Sequence, residues 1–414
     1  MNRMQKMGHW LLQKATGFPP WLGPSFGLLP SISGANVSPA SALTCSAVWA
    51  CVRIRAKMMG HFPLYVYKRT SAGVEILQDH ALYGVLHDSP NHYSTSMEWR
   101  EAMSTNFDLF GNAFSQIARL GDRVVALNLL PSQRMRIKIE DDTVSYEFSG
   151  VNGKIRTFKP EEILHIRNFS IDGIVGLNPI EQQRNAIGLS LDQAAYQAAI
   201  YKNGGLPAGV LQHPGTLSPE AVANIRDSWN AVHAGAENAG KVAILWEGMS
   251  YNALGMSPQV AQLMESRQFQ LSEIARIYGV PPHLIADLVR ATFSNIEQQG
   301  IEFVTYGLAP DCVRWEQRIK KSLLNVPGQD TGVYAKFNVT ALMRGDAAAR
   351  SAFYSSMVQN GIMTRDECRE LEELTRRGGS ADELTVQSNM LDLDQLAKLA
   401  AAGPQKQLPA GGAQ

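Results

Sequence analysis

The chain lacks several features that would assign it to a large class of proteins. Its 414 residues include 38 Lys plus Arg and 38 Asp plus Glu, so the formal net charge is zero. A protein that neutralises nucleic-acid phosphates usually carries a basic excess, so tight DNA binding by one copy is not expected. No apolar run approaches the ~18 residues of a membrane span, and the apolar stretch in the opening MNRMQKMGHWLLQK is too short for a signal peptide. We expect a soluble, cytoplasmic protein.

Cysteine is scarce, and catalytic motifs are missing. The four cysteines form no CxxC pair and have no zinc-ligand spacing with histidine, which predicts buried thiols. The sequence contains no GxxxxGK[ST], strand-borne GxGxxG, HExxH or GxSxG motif. We therefore predict no catalytic residues, no metal site and no cofactor. The four cysteines are Cys45, Cys51, Cys312 and Cys368.

A few polar and aromatic groups have simple structural interpretations. The stretch HDSPNH, from His87 to His92, has a Ser-Pro centre that favours a surface turn over a metal site. The adjacent acids Asp141 and Asp142 are typical of a solvated hairpin tip. Four tryptophans at helical spacing on apolar faces predict core packing: Trp49, Trp99, Trp229 and Trp315.

The first half of the chain segregates helices from strands. Residues 15–41 are rich in Pro, Gly and Ser and predict an extended arm. Beyond the arm, the pattern predicts helices at 42–57 and 96–109 and a strand at 62–69. A β-meander follows, with turn signals at Gly121-Asp122 and Asn152-Gly153. This order predicts an α+β fold. The predicted meander strands are 113–119, 124–130, 134–139 and 144–148.

Two long helices flank a small insert in the second half. Asn178-Pro179 predicts the start of a helix of about 24 residues, roughly 36 Å long. Ser257-Pro258 starts the second long helix. Between them, the insert contains a helix capped at Ser218-Pro219 and three strands: GVLQ, KVAILWEG and SYNALG.

The segment that follows the second long helix is unusual. Gly279, Pro281 and Pro282 stop that helix, yet the next residues, HLIADLVRATF, are too long and too apolar for a simple turn. A capping box at Ser294 and Glu297 starts a helix that extends toward Leu324, with a kink predicted at Pro310. A strand at VYAKFNV, two helices within 345–376 and a low-complexity tail complete the chain.

In this order, the segments resemble the portal proteins of tailed bacteriophages, over about Ala42 to Glu373. The resembling stretches are SAVWACVRIRAKMMGHFPLYVY, HALYGVLHDSPN, LFGNAFSQIAR, ALNLLPSQRM, PEEILHIRN, GIVGLNPIE, ARIYGVPPHLI, FSNIEQQ and LMRGDAAARSAFYSSMVQNGIMTRDECR. No single stretch identifies the family, but their order along the chain does.

The resemblance implies a portal-type α+β fold with a wing, a stem of paired helices, a clip and a crown. Carried over by position, the parts are an N-terminal arm 1–41, wing 42–178, stem helices 179–204 and 257–279, clip 205–256, tunnel loop 280–293, wing return 294–340, crown 341–376 and a largely disordered tail 377–414.

The resemblance also implies a non-enzymatic function. Subunits would form a homo-oligomeric ring of twelve at one capsid vertex of the virion, assembled in the host cytoplasm, and double-stranded DNA would pass through it during packaging and ejection. The implied partners are the terminase, which supplies the ATPase that this sequence lacks, the major capsid protein or scaffold, and a head–tail adaptor. No membrane is implied.

Two groups of residues are the candidate sites. The tunnel loop would present polar groups to the channel while Leu284, Ile285 and Leu288 pack on the next subunit; alternatively, 283–292 is a short helix buried in the wing. The stem would pack within or between subunits through small and apolar side chains. The channel candidates are His283, Asp287, Arg290 and Thr292, and the stem candidates are Ala194, Ala195, Ala198, Leu263, Leu271 and Ile274.

Two other interpretations stay open at the level of sequence. One is a metal-dependent nucleic-acid-processing enzyme with a site around His87, His92 and His165 in the N-terminal α+β region. The other is a scaffold or adaptor module that assembles no ring. Measurement of the mass in solution separates the portal from both.

Overall fold

A computed structural model describes residues 29–71, 73–141, 143–202, 209–233, 248–253, 258–287, 293–324, 332–339, 347–372 and 374–385. Within it the chain divides into two compact units, Met1–Val339 and Thr340–Gln414. Helices and antiparallel strands make up the first unit, as predicted for a mixed fold. None of the helices in the described part of the chain is long and apolar enough to cross a membrane.

The N-terminal arm is described from Leu29 onward. A two-stranded hairpin, β1 (Leu29–Pro30) and β2 (Asn36–Val37), leads into the short helix α1 (Pro39–Ala42). The predicted helix at 42–57 is instead α2 (Ser46–His61), which starts four residues later because the chain turns between Leu43 and Cys45. The earlier part of the predicted arm lies outside the described residues.

Two helices form the centre of the first unit. Helix α2 packs against α4 (Ser96–Phe110), while the short α3 (Ala81–Tyr83) continues into a π-helical turn. A capping box fixes the start of α4, because the Thr95 side chain accepts from the backbone of Glu98 and Glu98 bonds back. Its end is set by Gly111, whose φ of 71° is left-handed.

The described part of the first unit also contains three antiparallel sheets of three strands each. Their strands are β3 (Leu64–Thr70), β4 (Gly73–Ile76), β5 (Asn112–Leu120), β6 (Arg123–Leu130), β7 (Met135–Glu140), β8 (Thr143–Ser149), β9 (Ile155–Phe158), β10 (Ile163–Arg167) and β13 (Val333–Phe337). Turns at Gly121 (φ 61°), Asp141 (φ 47°) and Gly153 (φ 70°) join consecutive strands, and all three lie where the sequence predicted hairpin turns. The order of the strands across the three sheets is β13-β3-β4, β10-β5-β6 and β7-β8-β9.

The core of the first unit is aromatic and aliphatic. Trp99 and Trp315 are fully buried and meet edge to face, as the prediction of core tryptophans requires. Trp49 contradicts that prediction, because 52 % of its surface is exposed. Its position on α2 falls just outside the buried stripe, since the helix turns about 100° per residue. Cys45, Cys51 and Cys312 are buried free thiols, and Cys368 is half-buried.

The two long helices and the insert occupy the middle of the chain. The predicted first helix is interrupted at Gln183, so it forms α5 (Pro179–Gln182) and α6 (Arg184–Lys202). The second is α8 (Pro258–Tyr278), and α6 packs against it. The insert contains β11 (Gly209–Gln212), α7 (Pro219–His233) and β12 (Ser250–Ala253), with β11 and β12 paired. Most of the predicted strand KVAILWEG lies outside the described residues.

The helix after the loop changes its hydrogen-bonding type along its length. It consists of α9 (Phe293–Glu302), a π-helical segment at Phe303–Leu308, α10 (Ala309–Ile319) and a second π-helical segment at Lys320–Leu324. The wider π turn lets the Ala309 N–H bond to the Val304 carbonyl, five residues back. Pro310 lies in the first turn of α10, where its missing N–H costs no hydrogen bond within that helix.

The second unit contains two α-helices in its described part, α11 (Ala347–Gln359) and α12 (Arg365–Leu371). A turn separates them, in which Gly361 has a φ of 66°. Thr364 and Glu367 form a capping box at the start of α12. The buried Asp366 accepts from the backbone N–H groups of Arg377 and Gly378, which fastens the following segment to this helix.

Candidate functional site

The unusual loop begins with a left-handed helix end. Helix α8 stops at Tyr278, and Gly279 has a φ of 61°. The Val280 N–H bonds to the Ala275 carbonyl at 2.9 Å, which satisfies one of the last carbonyls of the helix. Val280 itself is buried. Pro281 and Pro282 then prevent the chain from continuing as a helix.

A single tight turn follows. Residues Pro282–Ile285 form a 3-10 helix that ends at Ala286, a non-glycine residue with a φ of 65°. A left-handed alanine costs about 1 kcal/mol, so contacts around it must hold the turn. The Asp287 N–H donates to the Pro282 carbonyl at 3.0 Å and closes the turn.

Two of the predicted channel residues are attached to neighbouring helices. His283 Nδ1 lies 2.9 Å from Gln299 Oε1 on α9, and Asp287 Oδ1 accepts from Gln268 Nε2 on α8 at 3.3 Å. Both side chains are half-buried, whereas Leu284 is 36 % exposed. The alternative, a short buried helix over 283–292, is not borne out in the described residues, where a half-exposed 3-10 turn at Pro282–Ile285 contains no buried residue. Arg290, Thr292 and Leu288 lie outside the described residues.

A cleft of about 450 Å³ opens beside the start of the loop. One wall is the last turn of α8, and the other is the π-helical segment Phe303–Leu308. Tyr306, on that wall, is 78 % exposed. The main lining residues are Ser272, Arg276, Pro281, Glu302, Phe303 and Tyr306.

The base of the loop rests on a buried arginine that sequence analysis missed. Arg55 of α2 donates from Nε to Asp108 Oδ1 at 3.0 Å and from Nη2 to Asp311 Oδ2 at 2.6 Å. Its Nη1 donates to the carbonyls of Tyr278 at 2.9 Å and Gly307 at 3.4 Å. One side chain thus joins α2, α4, the end of α8, the π-helical segment and α10.

The electrostatics of this group favour a permanently charged arginine. Burial opposes the charge of Arg55, but the carboxylates of Asp108 and Asp311 outweigh it and raise the pKa above its ordinary value. Burial raises the pKa of Asp108 to about 6, against the lowering effect of Arg55. A cation at the C-terminus of α8 also complements the helix dipole. A signal was present in the sequence, since Arg55 interrupts the apolar face of α2 between Val52 and Ala56.

A second buried polar network holds the start of the first long helix. Asn112 Oδ1 accepts from the Gly176 N–H at 2.8 Å, and Asn112 Nδ2 donates to the Gly176 carbonyl at 2.8 Å. His165 Nε2 lies 2.9 Å from the same Oδ1, so this nitrogen carries the proton, and Nδ1 accepts from the Tyr146 hydroxyl at 3.2 Å. Burial lowers the pKa of His165 to about 3, which keeps the ring neutral.

Backbone contact next to this network leaves no room for side chains. A Cβ built on Gly111 would lie 2.0 Å from the Leu177 carbonyl oxygen, and one on Gly176 would lie 2.0 Å from the Gly111 carbonyl oxygen. Directly after this crossing, Asn178 caps α5 by accepting from the N–H of Ile180 at 3.0 Å. Glycine is therefore required where the chain enters the first long helix.

The predicted stem residues differ in burial. Ile274 is buried and Leu271 half-buried, while the side chain of Leu263 lies outside the described part. Polar side chains join α6 to α8, with Gln193 Nε2 donating to Ser266 Oγ at 2.8 Å and Arg267 donating to Gln197. The three alanines are exposed in the single chain: Ala194, Ala195 and Ala198.

The three histidines of the enzyme interpretation have separate surroundings. His87 stacks on the rings of Tyr65 and Tyr83, with centroids at 5.0 and 4.8 Å. His92 meets Tyr93 edge-on, and His165 belongs to the buried network. Among the residues that the structure describes, no three His, Cys, Asp or Glu side chains are placed to hold a metal ion.

Comparison with known sequences gives consistent matches. The family described as "Phage portal protein" matches residues 46–373. The "Probable portal protein" of Streptomyces phage phiC31 is 34 % identical, over 83 % of this chain and 77 % of its own length. The "Portal protein" of Enterobacteria phage HK97 is 33 % identical, over 80 % of this chain and 79 % of its own.

Solved structures share the fold. A chain in the "Neck of native GTA particle computed with C12 symmetry" has a TM-score of 0.56 and 22 % identity, covering 88 % of this chain and 98 % of that one. An HK97 family phage portal protein from Corynebacterium diphtheriae has a TM-score of 0.53 and 20 % identity, covering 77 % and 99 %. Family match, curated relatives and fold agree along most of the sequence. The chain belongs to the phage portal protein family.

Proposed function

We propose that twelve copies of this chain close into a ring at one vertex of a phage capsid and form the conduit for double-stranded DNA. The observation that carries the proposal is the match of the portal family over residues 46–373. The number twelve is supported by the similar chain from a neck with C12 symmetry. Such a ring needs two different, complementary faces on every subunit.

The parts of the ring follow the boundaries predicted from the sequence. Residues 42–178 with 294–340 form the wing, 179–204 and 257–279 the stem, 205–256 the clip and 341–376 the crown. In support, α6 packs on α8, and β11, α7 and β12 lie between them in the chain. The arm 1–41 and the tail 377–414 lie outside these parts.

The loop at 280–293 reaches toward the channel in this proposal. Its start is fixed by the Arg55 network, and His283 and Asp287 are tethered to α9 and α8. Together with Arg290 and Thr292, they present polar groups of both charges to the passing DNA. Net neutrality helps sliding, because a phosphate contact repeated in twelve subunits would multiply into immobilising affinity.

The ring itself performs no catalysis in this proposal. The terminase supplies packaging energy, in keeping with the missing phosphate loop of this sequence. The major capsid protein or scaffold surrounds the ring, and a head–tail adaptor replaces the terminase after packaging. The ring assembles in the host cytoplasm and stays in the virion.

Mass measurement of the purified full chain tests the ring. We expect particles of twelve times 45.4 kDa by native mass spectrometry and annular particles by electron microscopy. A particle that stays at 45.4 kDa at every salt and protein concentration would rule the ring out.

Replacement of 283–291 by a flexible Gly-Ser segment of equal length tests the loop. The ring should still assemble, while packaging or retention of DNA should fall at least tenfold, because the length is kept and only the side chains are lost. Unfolding of the subunit would show that the segment belongs to the core. Normal packaging would show that the loop does not act on the DNA.

A further inference from the structure

Helix α2 carries an exposed aromatic and basic stripe. Trp49, Arg53 and Lys57 are spaced four residues apart and therefore lie on one face, over about 12 Å. Trp49 is 52 % exposed, which is unusual for a side chain of this size. Neither basic residue takes part in an ion pair with the described part of the chain.

Helix α8 carries a stripe of the opposite charge and the same length. Glu265, Phe269 and Glu273 are also spaced four residues apart. Phe269 is 56 % exposed, and within the described residues Glu273 forms its ion pair with the exposed Arg276, at 3.4 Å. An exposed pair of this kind contributes little, so Glu273 is available for a stronger contact.

The two stripes face away from the contact between their own helices. Helices α2 and α8 pack together, with Arg55 bonding to the carbonyl of Tyr278. At 100° per residue, the α2 stripe lies roughly 160° around its helix from the face of Arg55. The α8 stripe lies roughly 160° from the buried face of Ile274 and Tyr278. One chain therefore cannot join its own two stripes.

We propose that the α2 stripe of one subunit docks on the α8 stripe of the next copy of this chain. The inference rests on the ring under Proposed function and names one of its contacts. Trp49 packs on Phe269. Arg53 reaches a glutamate one helical turn from Phe269, either Glu265 or Glu273. Two different faces of opposite charge form a heterologous contact, the kind of contact that generates a ring when its rotation closes.

The composition of the two stripes fits an interface between proteins. Aromatic side chains and arginine are the residue types that dominate binding energy at such contacts. The surrounding charges select the partner face, because two faces of equal charge repel each other. Each stripe thus rejects a second copy of itself and accepts the other one.

Charge reversal in the full-length chain tests the contact. The first variant is Arg53→Glu with Lys57→Glu, and the second is Glu265→Lys with Glu273→Lys. Each alone brings equal charges together at every contact, so we expect the concentration for half-assembly to rise at least about tenfold. Mixed one to one, the variants present opposite charges at every contact. We expect assembly within about threefold of the unmodified chain, in rings that contain the two variants in equal number.

The control reverses two exposed charges elsewhere, Arg123→Glu with Arg136→Glu, and should assemble normally. The proposal is overturned if either stripe variant alone assembles like the unmodified chain, or if mixing folded variants restores nothing. Circular dichroism establishes the folding. Failure of the unmodified chain to form rings would instead refute the proposed function, so the two failures are distinguishable.

Discussion

A cation buried at a helix end ties the loop of this protein to its core. Arg55 bonds to two carboxylates and two carbonyls on four other segments. Arg55→Gln removes the charge and leaves Asp108 and Asp311 without their shared partner. Loss of one member of a buried ion pair costs about 3–5 kcal/mol, so we expect the free energy of unfolding to fall by that amount. Denaturant unfolding of the subunit measures it.

The matched control for this change is Arg53→Gln, on the same helix but exposed. We expect its free energy of unfolding to change by less than about 0.5 kcal/mol in the unassembled subunit. Equal effects of the two substitutions would mean that the ion pairs of Arg55 add nothing to stability.

The neutral His165 makes stability depend on pH. Burial lowers its pKa to about 3 in the folded chain, against 6.5 for the ordinary side chain. Between these values the unfolded state binds a proton and the folded state does not, so stability falls as pH falls from 6.5 toward 3. The stability advantage of the unmodified chain over His165→Gln should shrink by up to about 1.4 kcal/mol per pH unit in this window.

Comparison with the variant is necessary because Asp108 acts in the opposite direction. Its pKa is raised to about 6, so its ionisation lowers stability as pH rises from about 4 to 6. Both chains contain Asp108, and its effect cancels in the difference. A difference that stays constant between pH 6 and 4 would show that His165 is protonated in the folded state.

At the level of elements, local signals in the sequence were reliable. Asn178 and Ser218 cap helices as predicted, each by accepting a backbone N–H. The hairpin turns at Gly121 and Gly153 were also correct, because φ angles and caps depend on neighbouring residues only. The kink at Pro310 stays a prediction, and the described helix changes to π-helical hydrogen bonding just before the proline.

The sequence indicated where the loop begins, but it did not reveal the contacts that hold the loop in place. Helix-stopping residues revealed the loop after Tyr278. Arg55 and Asp311 are 256 residues apart in the chain, and Asn112 and Gly176 are 64 apart. Partners at such separations are chosen by tertiary packing, which no local pattern records. For the same reason, periodicity alone placed Trp49 in the core.

The close approach of the backbone at Gly111 and Gly176, just before α5, gives a prediction at the level of elements. Gly111→Ala places a Cβ 2.0 Å from the Leu177 carbonyl oxygen, so the backbone must separate and the Asn112 bonds to Gly176 must lengthen. We expect a loss of more than about 3 kcal/mol in unfolding free energy, from strain and unsatisfied polar groups. Hydrogen exchange at the Gly176 amide should speed up as well.

Gly121→Ala is the control, because Gly121 has a similar φ of 61° but nothing within 4 Å of a built Cβ. It carries only the left-handed strain of about 1 kcal/mol. Substitutions of equal cost at the two positions would show that the crossing relaxes freely.

For the whole molecule, the exposed surface of the long helices is the feature that assembly must explain. The C-terminal half of α6 exposes Ala194, Ala195 and Ala198, and 56 % of the surface of Tyr196 is exposed as well. Small side chains allow close approach of another helix, and within the chain α6 meets α8 through glutamines instead. This arrangement favours a contact between subunits in the stem.

Substitution at Ala198 distinguishes a contact between subunits from a solvent-facing surface. Ala198→Leu adds bulk to a site that is exposed in the single chain, so the unfolding free energy of the subunit should change by less than about 0.5 kcal/mol. In a packed stem the same bulk costs about 1–3 kcal/mol at each contact, and a ring repeats the contact in every subunit. We therefore expect Ala198→Leu to prevent assembly, while Ala198→Ser, which is small, assembles like the unmodified chain. Sedimentation of both variants across protein concentration measures this, and rings of Ala198→Leu at the normal concentration would place the alanine face outside the interface.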